Sequence, residues 1–167
     1  NDKKIEVKNP SKLSYISQTT LSVDDTRVVI EALKERFPLI EGPDVKDICY
    51  ATQNRQSAVR DLVDHVNLIL VVGAKNSSNS NRLRDLGEES GVDTFLIETA
   101  DDLDRKWFNN VDSIGISSGA STPDELVKEV MNRISTFREI KIETRPGIKE
   151  NVVFKLPKEL EKYHVAN

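Results

Sequence analysis

Residues 67–83 read NLILVVGAKNSSNSNRL: an unbroken apolar run stops at Gly73, six polar residues fill positions 76–81, and helical spacing begins after them. A short continuous run of Leu, Ile and Val suits a strand covered on both faces, as parallel strands are. The polar positions are then either a solvated linker or a polar site at the end of a buried strand. A linker would separate two bodies of different composition. Here the run interrupts a strand-to-helix connection, which commonly takes about two to six residues. The stretch therefore reads as one βα unit.

The same rhythm continues on both sides. VKDICY (45–50), NLILVVG (67–73), DTFLIE (93–98) and DSIGIS (112–117) read as strands. TQNRQSAVRDLVDHV (52–66), SNRLRDLGEESG (80–91), TADDLDRKWF (99–108) and TPDELVKEVMNRIS (122–135) read as the helices that follow them. The expectation is an α/β fold with a parallel four-stranded sheet and helices on both faces. Thr122 at N-cap, Pro123 at N1 and Glu125 at N3 signal the start of the last helix. Upstream, SVDDTRVVIEALKERFP (22–38) predicts a helix opened by Ser22 and Asp25 and stopped by Pro38, preceded by short strands at 5–8 and 13–19. Downstream, FREIKIETRPGIKEN (137–151) lacks periodicity and reads as a linker to a short strand, NVVFKLP (151–157), and a polar tail.

Composition narrows the function classes. The 167 residues carry 24 Lys and Arg against 28 Asp and Glu, a net charge of -4, which argues against nucleic acid as a partner. No apolar run approaches the roughly 18 residues of a membrane span and no signal-peptide pattern opens the chain, so a membrane is not expected either. The single cysteine, Cys49, excludes an internal disulfide and fits a reducing compartment. With Asn1 first and Met131 its only methionine, the chain is expected to be the C-terminal part of a longer polypeptide, or a processed product.

In a parallel sheet, ligands bind beyond the carboxyl ends of the strands, where the loops cluster and helix N-termini aim free amides. There the sequence places CYATQNRQ, GAKNSSNSNR, ETADD and SSGASTPD. Ser77, Ser78 and Asn79 could wrap an anion, or one of them could simply cap the helix while the others are wet. Gly119 and Ser121 repeat the choice: a close backbone approach and a hydroxyl, or a plain turn with a cap. Lys75 and Arg82 are optional charges nearby. Phosphate or diphosphate is the natural ligand, with neither a Walker A loop nor a GxGxxG fingerprint to specify a nucleotide.

Cys49 is either a small hydrophobe ending a strand or a thiolate favoured by the following helix N-terminus. Neither His65 nor His164 is placed as a base for a nucleophile, and zinc or an iron-sulfur cluster needs more thiolates than this chain owns. Thr19 and Thr20 could line the same cavity or merely end a strand. The acidic pairs at 24–25 and 101–102 suit helix N-termini without a metal, and Trp107 reads as a helix residue packed on the sheet.

SQTTLSVDDT (17–26), DICYATQNRQ (47–56), VVGAKNSSNSNRL (71–83) and GISSGASTPD (115–124), in this order and at these separations, resemble the C-terminal half of the 4-hydroxy-3-methylbut-2-enyl diphosphate reductases. The resemblance runs from about Lys4 to Leu160. It implies one complete repeat, residues 45–136, of a trefoil-like enzyme of three α/β units, with residues 1–44 the remnant of the second unit and 137–167 a C-terminal linker, strand and tail. It implies a 4Fe-4S cluster held by three cysteines, of which Cys49 would be the last, and two-electron reductive dehydroxylation of an allylic diphosphate to isopentenyl and dimethylallyl diphosphates. Ser77, Ser78, Asn79 and Ser121 would bind the diphosphate, with Thr19 as a catalytic residue and Thr20 beside the substrate's hydroxyl end. Ferredoxin or flavodoxin would be the electron donor, and the bacterial cytoplasm or the plastid stroma the setting. The other cluster cysteines, histidines and a proton-relaying glutamate belong to the N-terminal half of that family. This chain alone should then assemble no cluster and should depend on its missing half for solubility or folding. The competing expectation is a stand-alone phosphate- or diphosphate-binding α/β module without redox activity.

Overall fold

In the computed structural model of the chain, which describes residues 6–43, 48–148 and Pro157, the residues Leu68–Val72 form the central strand β1. All five of its side chains are fully buried. Leu68, Leu70 and Val72 point to one face and Ile69 and Val71 to the other, so the run must be covered twice. Strands β2 (Asp93–Ile97) and β3 (Ile114–Ser118) flank it in parallel, in the order β2-β1-β3. The register pairs Val72 with both Ile97 and Ser118, so all three strands end level.

The helices complete the layers. On the Ile69 face lie Val59 of α2 (Tyr50–Val63) and Leu83 and Leu86 of α3 (Ser78–Glu89). On the Leu70 face lie Val130 and Ile134 of α4 (Asp124–Ser135), with Phe108 and Val111. Each such aliphatic or aromatic burial contributes about 1.5–3 kcal/mol before entropy is counted. Before these elements comes α1 (Val23–Arg36), opened as expected by Ser22, whose hydroxyl accepts from the amide of Asp25 at 3.2 Å.

The α/β class with a parallel sheet between helices is as read from the sequence, but among the described residues the sheet has three strands and not four. Residues 45–47 of VKDICY lie outside the described residues, and Ile48 and Cys49 are not in a strand. The amide of Cys49 donates to Thr19 O at 3.1 Å and its carbonyl accepts from Gln53 N at 3.0 Å. Its backbone is thus committed to the upstream segment and to α2, which starts at Tyr50, two residues earlier than expected.

TADDLDRKWF is not a helix but two short 3-10 turns, Ala100–Asp102 and Arg105–Phe108. Asp102 and Asp104 hold backbone amides themselves, at 2.8 Å to Glu98 and 2.9 Å to Lys106, and so compete with helical hydrogen bonds. Trp107 packs on the sheet all the same, stacked on Phe95 with ring centroids 4.0 Å apart.

The expected strands at 5–8 and 13–19 reduce, among the described residues, to one bridge between Ser14 and Glu41. The 137–148 stretch has no regular structure, as expected of a linker, and the NVVFKLP strand lies, apart from Pro157, outside the described residues. At α4 the N-cap position falls to Pro123 and not to Thr122, whose hydroxyl donates instead to Val72 O at 3.0 Å.

Candidate functional site

Because the strands end level, the connections after Val72, Ile97 and Ser118 share one edge of the sheet. The helices run back against the strands, so α2, α3 and α4 present their N-termini at that edge. Two glycines let the loops close on each other there. A Cβ on Gly73 or on Gly119 would collide with the Ser80 hydroxyl, and on Gly119 would also stand 3.0 Å from Thr122 Oγ1. Ser80, in the first turn of α3, is therefore the wedge between the two polar loops.

The polar run after β1 divides into caps and orphans. Ser77 caps α3, accepting from Ser80 N at 3.3 Å. Asn81 ties the loop down by donating to Lys75 O at 2.7 Å and Ser77 O at 2.8 Å. Ser78 accepts a 3.1 Å hydrogen bond from the Thr20 hydroxyl. Asn79 is different: it is 5% exposed, and neither its Oδ1 nor its Nδ2 has a partner among the described residues. The buried Ser80 hydroxyl is likewise unpartnered. Buried polar groups are nearly always hydrogen-bonded, and an amide left without partners costs about 1–3 kcal/mol. An anion at the N-terminus of α3 would supply the acceptor that the Asn79 amide group lacks. Ser121 is exposed on the neighbouring turn, which is closed by Thr122 N donating to Gly119 O at 3.0 Å.

The threonine segment joins this edge to the thiol. The Thr19 carbonyl accepts from Cys49 N, while Thr20 reaches Ser78. Gln56, fully buried on α2, fixes the segment by donating to Leu21 O at 2.9 Å and accepting from Val23 N at 3.5 Å. Cys49 is exposed at the N-cap of α2. It makes no hydrogen bond to Ser77, Ser78, Asn79 or Ser121, so the two groups of residues are linked through Thr19 and Thr20. A cavity of ≈ 580 Å³ between this segment, α1 and α3 is lined by Gln18, Thr20, Ser78 and Arg82 among others, and Cys49 is not in its wall. His65 pairs with Asp61 at 3.9 Å beyond the far end of α2, and His164 lies outside the described residues.

No group of three metal-ligating side chains occurs among the described residues. An iron-sulfur cluster requires several thiolates. The one exposed thiol fits a single ligand position, and the remaining ligands would have to come from outside this chain.

The two optional charges are already engaged. Lys75 lies 3.8 Å from Glu98 and 3.7 Å from Asp102, and Arg82 pairs with Glu89 at 2.8 Å and Asp25 at 3.4 Å. Asp102 is held below the usual carboxylate range by the amides of Thr99 and Glu98 and then by Lys75. Sequence reasoning missed three residues: Ser80, Gln56 and Arg55, whose Nη1 donates to Ser118 Oγ at 3.1 Å. Arg55 and Gln56 end the CYATQNRQ stretch that the sequence places at this edge, but no local signal gives either one a role.

A family model described as LytB protein matches residues 1–135. The chain is similar to the 4-hydroxy-3-methylbut-2-enyl diphosphate reductase of Pseudoalteromonas translucida, at 52% identity over 157 residues, covering 94% of this chain and 51% of that protein. It is similar to the reductase of the same name from Acinetobacter baumannii at 50% identity, covering 97% and 51%. It thus spans about half the length of the curated relatives it matches. The solved E-1-hydroxy-2-methyl-but-2-enyl-4-diphosphate reductase of Plasmodium falciparum superposes on 97% of this chain and 52% of its own, with a TM-score of 0.84 and 34% identity. The resemblance carried by four polar loops is thereby matched along the sequence and in the backbone, and the chain belongs to the LytB protein family.

Proposed function

We propose that the chain is the C-terminal part of an iron-sulfur oxidoreductase that converts 4-hydroxy-3-methylbut-2-enyl diphosphate to isopentenyl and dimethylallyl diphosphate by two-electron reductive dehydroxylation. The observation that carries the reading is the buried amide of Asn79 at the N-terminus of α3, which has no partner among the described residues and lies beside a second polar turn. Asn79 Nδ2 and the free amides opening α3 bind the diphosphate, with the hydroxyls of Ser77, Ser78 and Ser121 completing the grip. The Thr20 hydroxyl orients Ser78, and Thr19, one residue away and hydrogen-bonded to the Cys49 amide, stands at the substrate's hydroxyl end as the catalytic residue of this chain.

Cys49, exposed at the N-cap of α2, would be one ligand of a 4Fe-4S cluster. The cluster, when bound, supplies electrons and an iron for the hydroxyl end of the substrate. Its other ligands belong to an N-terminal half of the same enzyme, and a ferredoxin or flavodoxin delivers the electrons. In this reading residues 1–44 belong to the second α/β unit, 45–136 form the third, and 137–167 return across the partner half. The setting is the bacterial cytoplasm, with the plastid stroma as the alternative. No helix among the described residues is long and apolar enough to cross a membrane.

Anaerobic reconstitution tests the reading: this chain joined to an N-terminal half from a relative should take up iron and absorb in the visible, whereas Cys49→Ser should lose that absorption. A Cys49→Ser protein that keeps cluster and activity would leave the chain as an anion-binding module alone.

A further inference from the structure

Among the cations at the carboxyl edge, Lys75 and Arg82 are neutralised by carboxylates. Arg55 is not. Its side chain is half-buried on α2, its Nη1 is spent on the Ser118 hydroxyl at the end of β3, and its Nε is shielded from water without a partner. No carboxylate pairs with it among the described residues. Removing a cation from water without a counter-charge is costly, and the cost is recovered when an anion binds close by. Ser118 is the residue immediately before Gly119, so this hydrogen bond ties the guanidinium to the strand end from which the turn carrying Ser121 departs.

We propose, on the footing that this rim binds a diphosphate, that Arg55 is its fixed cation: it orients the Gly119–Thr122 turn through Ser118 and holds uncompensated positive charge beneath the bound anion. The polar loops supply hydrogen bonds and helix dipoles, and Arg55 adds the formal charge they lack. It is a positioning and electrostatic residue, distinct from the side chains that touch the phosphate oxygens.

The test is titration calorimetry of inorganic diphosphate into the full 167-residue chain and its Arg55→Met and Arg55→Lys variants, with melting midpoints measured with and without diphosphate. Arg55→Met keeps the stem and removes the charge. It should melt no lower than wild type without ligand, since an unpaired charge has been removed, yet bind diphosphate about tenfold or more weakly, the order expected for a charged partner. Arg55→Lys keeps the charge and should stay within about threefold of wild type, because the interaction is largely Coulombic. Wild-type affinity in Arg55→Met overturns the proposal while leaving the anion site standing. So does an Arg55→Met chain that melts well below wild type or fails to fold, because a purely structural arginine behaves that way. A wild-type chain that does not bind diphosphate at all overturns the anion reading, and the role of Arg55 with it.

Discussion

Ser80 occupies the space that Cβ atoms on Gly73 and Gly119 would take, and that exclusion gives a sharp test of how the two loops meet. Gly119→Ala should destabilise the chain by about 1–3 kcal/mol, as overpacking does. Adding Ser80→Ala removes the colliding hydroxyl and should recover a substantial part of the loss, a coupling read from a double-mutant cycle by urea denaturation. Strictly additive effects would mean that the loops do not touch through Ser80. That Ser77, Ser78 and Asn79 could bind an anion was legible as one of two readings, the other being a helix cap with wet neighbours. That Ser77 serves as the cap while Asn79 is left without a partner was not legible, since both residue types cap helices well. Arg55 was invisible for a different reason: its partner, Ser118, is 63 positions away, and only the fold joins them.

At the scale of elements, the connection after β2 is held by an acidic side chain. Asp102 accepts from the amides of Glu98 and Thr99 at 2.8 and 2.9 Å, so Asp102→Ala should cost about 1 kcal/mol, the usual worth of such a cap. The folded carboxyl is held below its unfolded value, so the unfolded chain binds the proton first as pH falls. This contribution is therefore full above the unfolded pKa of about 4 and is lost as pH falls through the lower folded value. Urea midpoints of wild type and Asp102→Ala should converge at low pH. A gap that widens there would refute the assignment.

The tie between α2 and the threonine segment is a second element-scale device. Gln56→Leu strands Leu21 O and Val23 N, should cost about 1–3 kcal/mol, and should speed amide exchange at the start of α1. Exchange unchanged in residues 21–26 would show that the segment is held by something else. Strand β1 and helices α1 and α4 were readable because their periodicity is local, as is the Ser22 cap of α1, whereas the cap read at Thr122 is not the one that opens α4. The strand expected at VKDICY was not, because apolar alternation cannot reveal that the backbone of Cys49 bonds to Thr19 and to its own helix. TADDLDRKWF failed as a helix for a related reason: its aspartates are better acceptors for nearby amides than the helix is a home for them.

At the scale of the molecule, the chain matches about half of each curated relative named above, and its described surface carries several exposed apolar side chains. Ile16, Val28, Val29 and Leu39 are exposed by 94, 65, 57 and 69%, an apolar side of α1 and its flanks that a helix in a finished core would cover. The isolated chain should associate with itself in a concentration-dependent way in sedimentation velocity. Val28→Lys with Val29→Glu should abolish the association without lowering the melting temperature, whereas a monomer at all concentrations would show that this face is content in water. The broad class of the site followed from topology alone, since parallel strands ending level bring their loops together whatever the residues. The proposed redox chemistry did not, because a single thiol in 167 residues does not by itself specify a cluster.

In the function proposed above, the amide of Asn79 and the two polar turns form one receptor for a diphosphate. Nitrogen-15 correlation spectra of the chain, recorded during titration with inorganic diphosphate, test it most directly. The Asn79 side-chain resonance should shift saturably together with backbone amides in 77–80 and 119–122, all with one dissociation constant. A titration in which the Asn79 resonance stays fixed while other surface amides drift would contradict it.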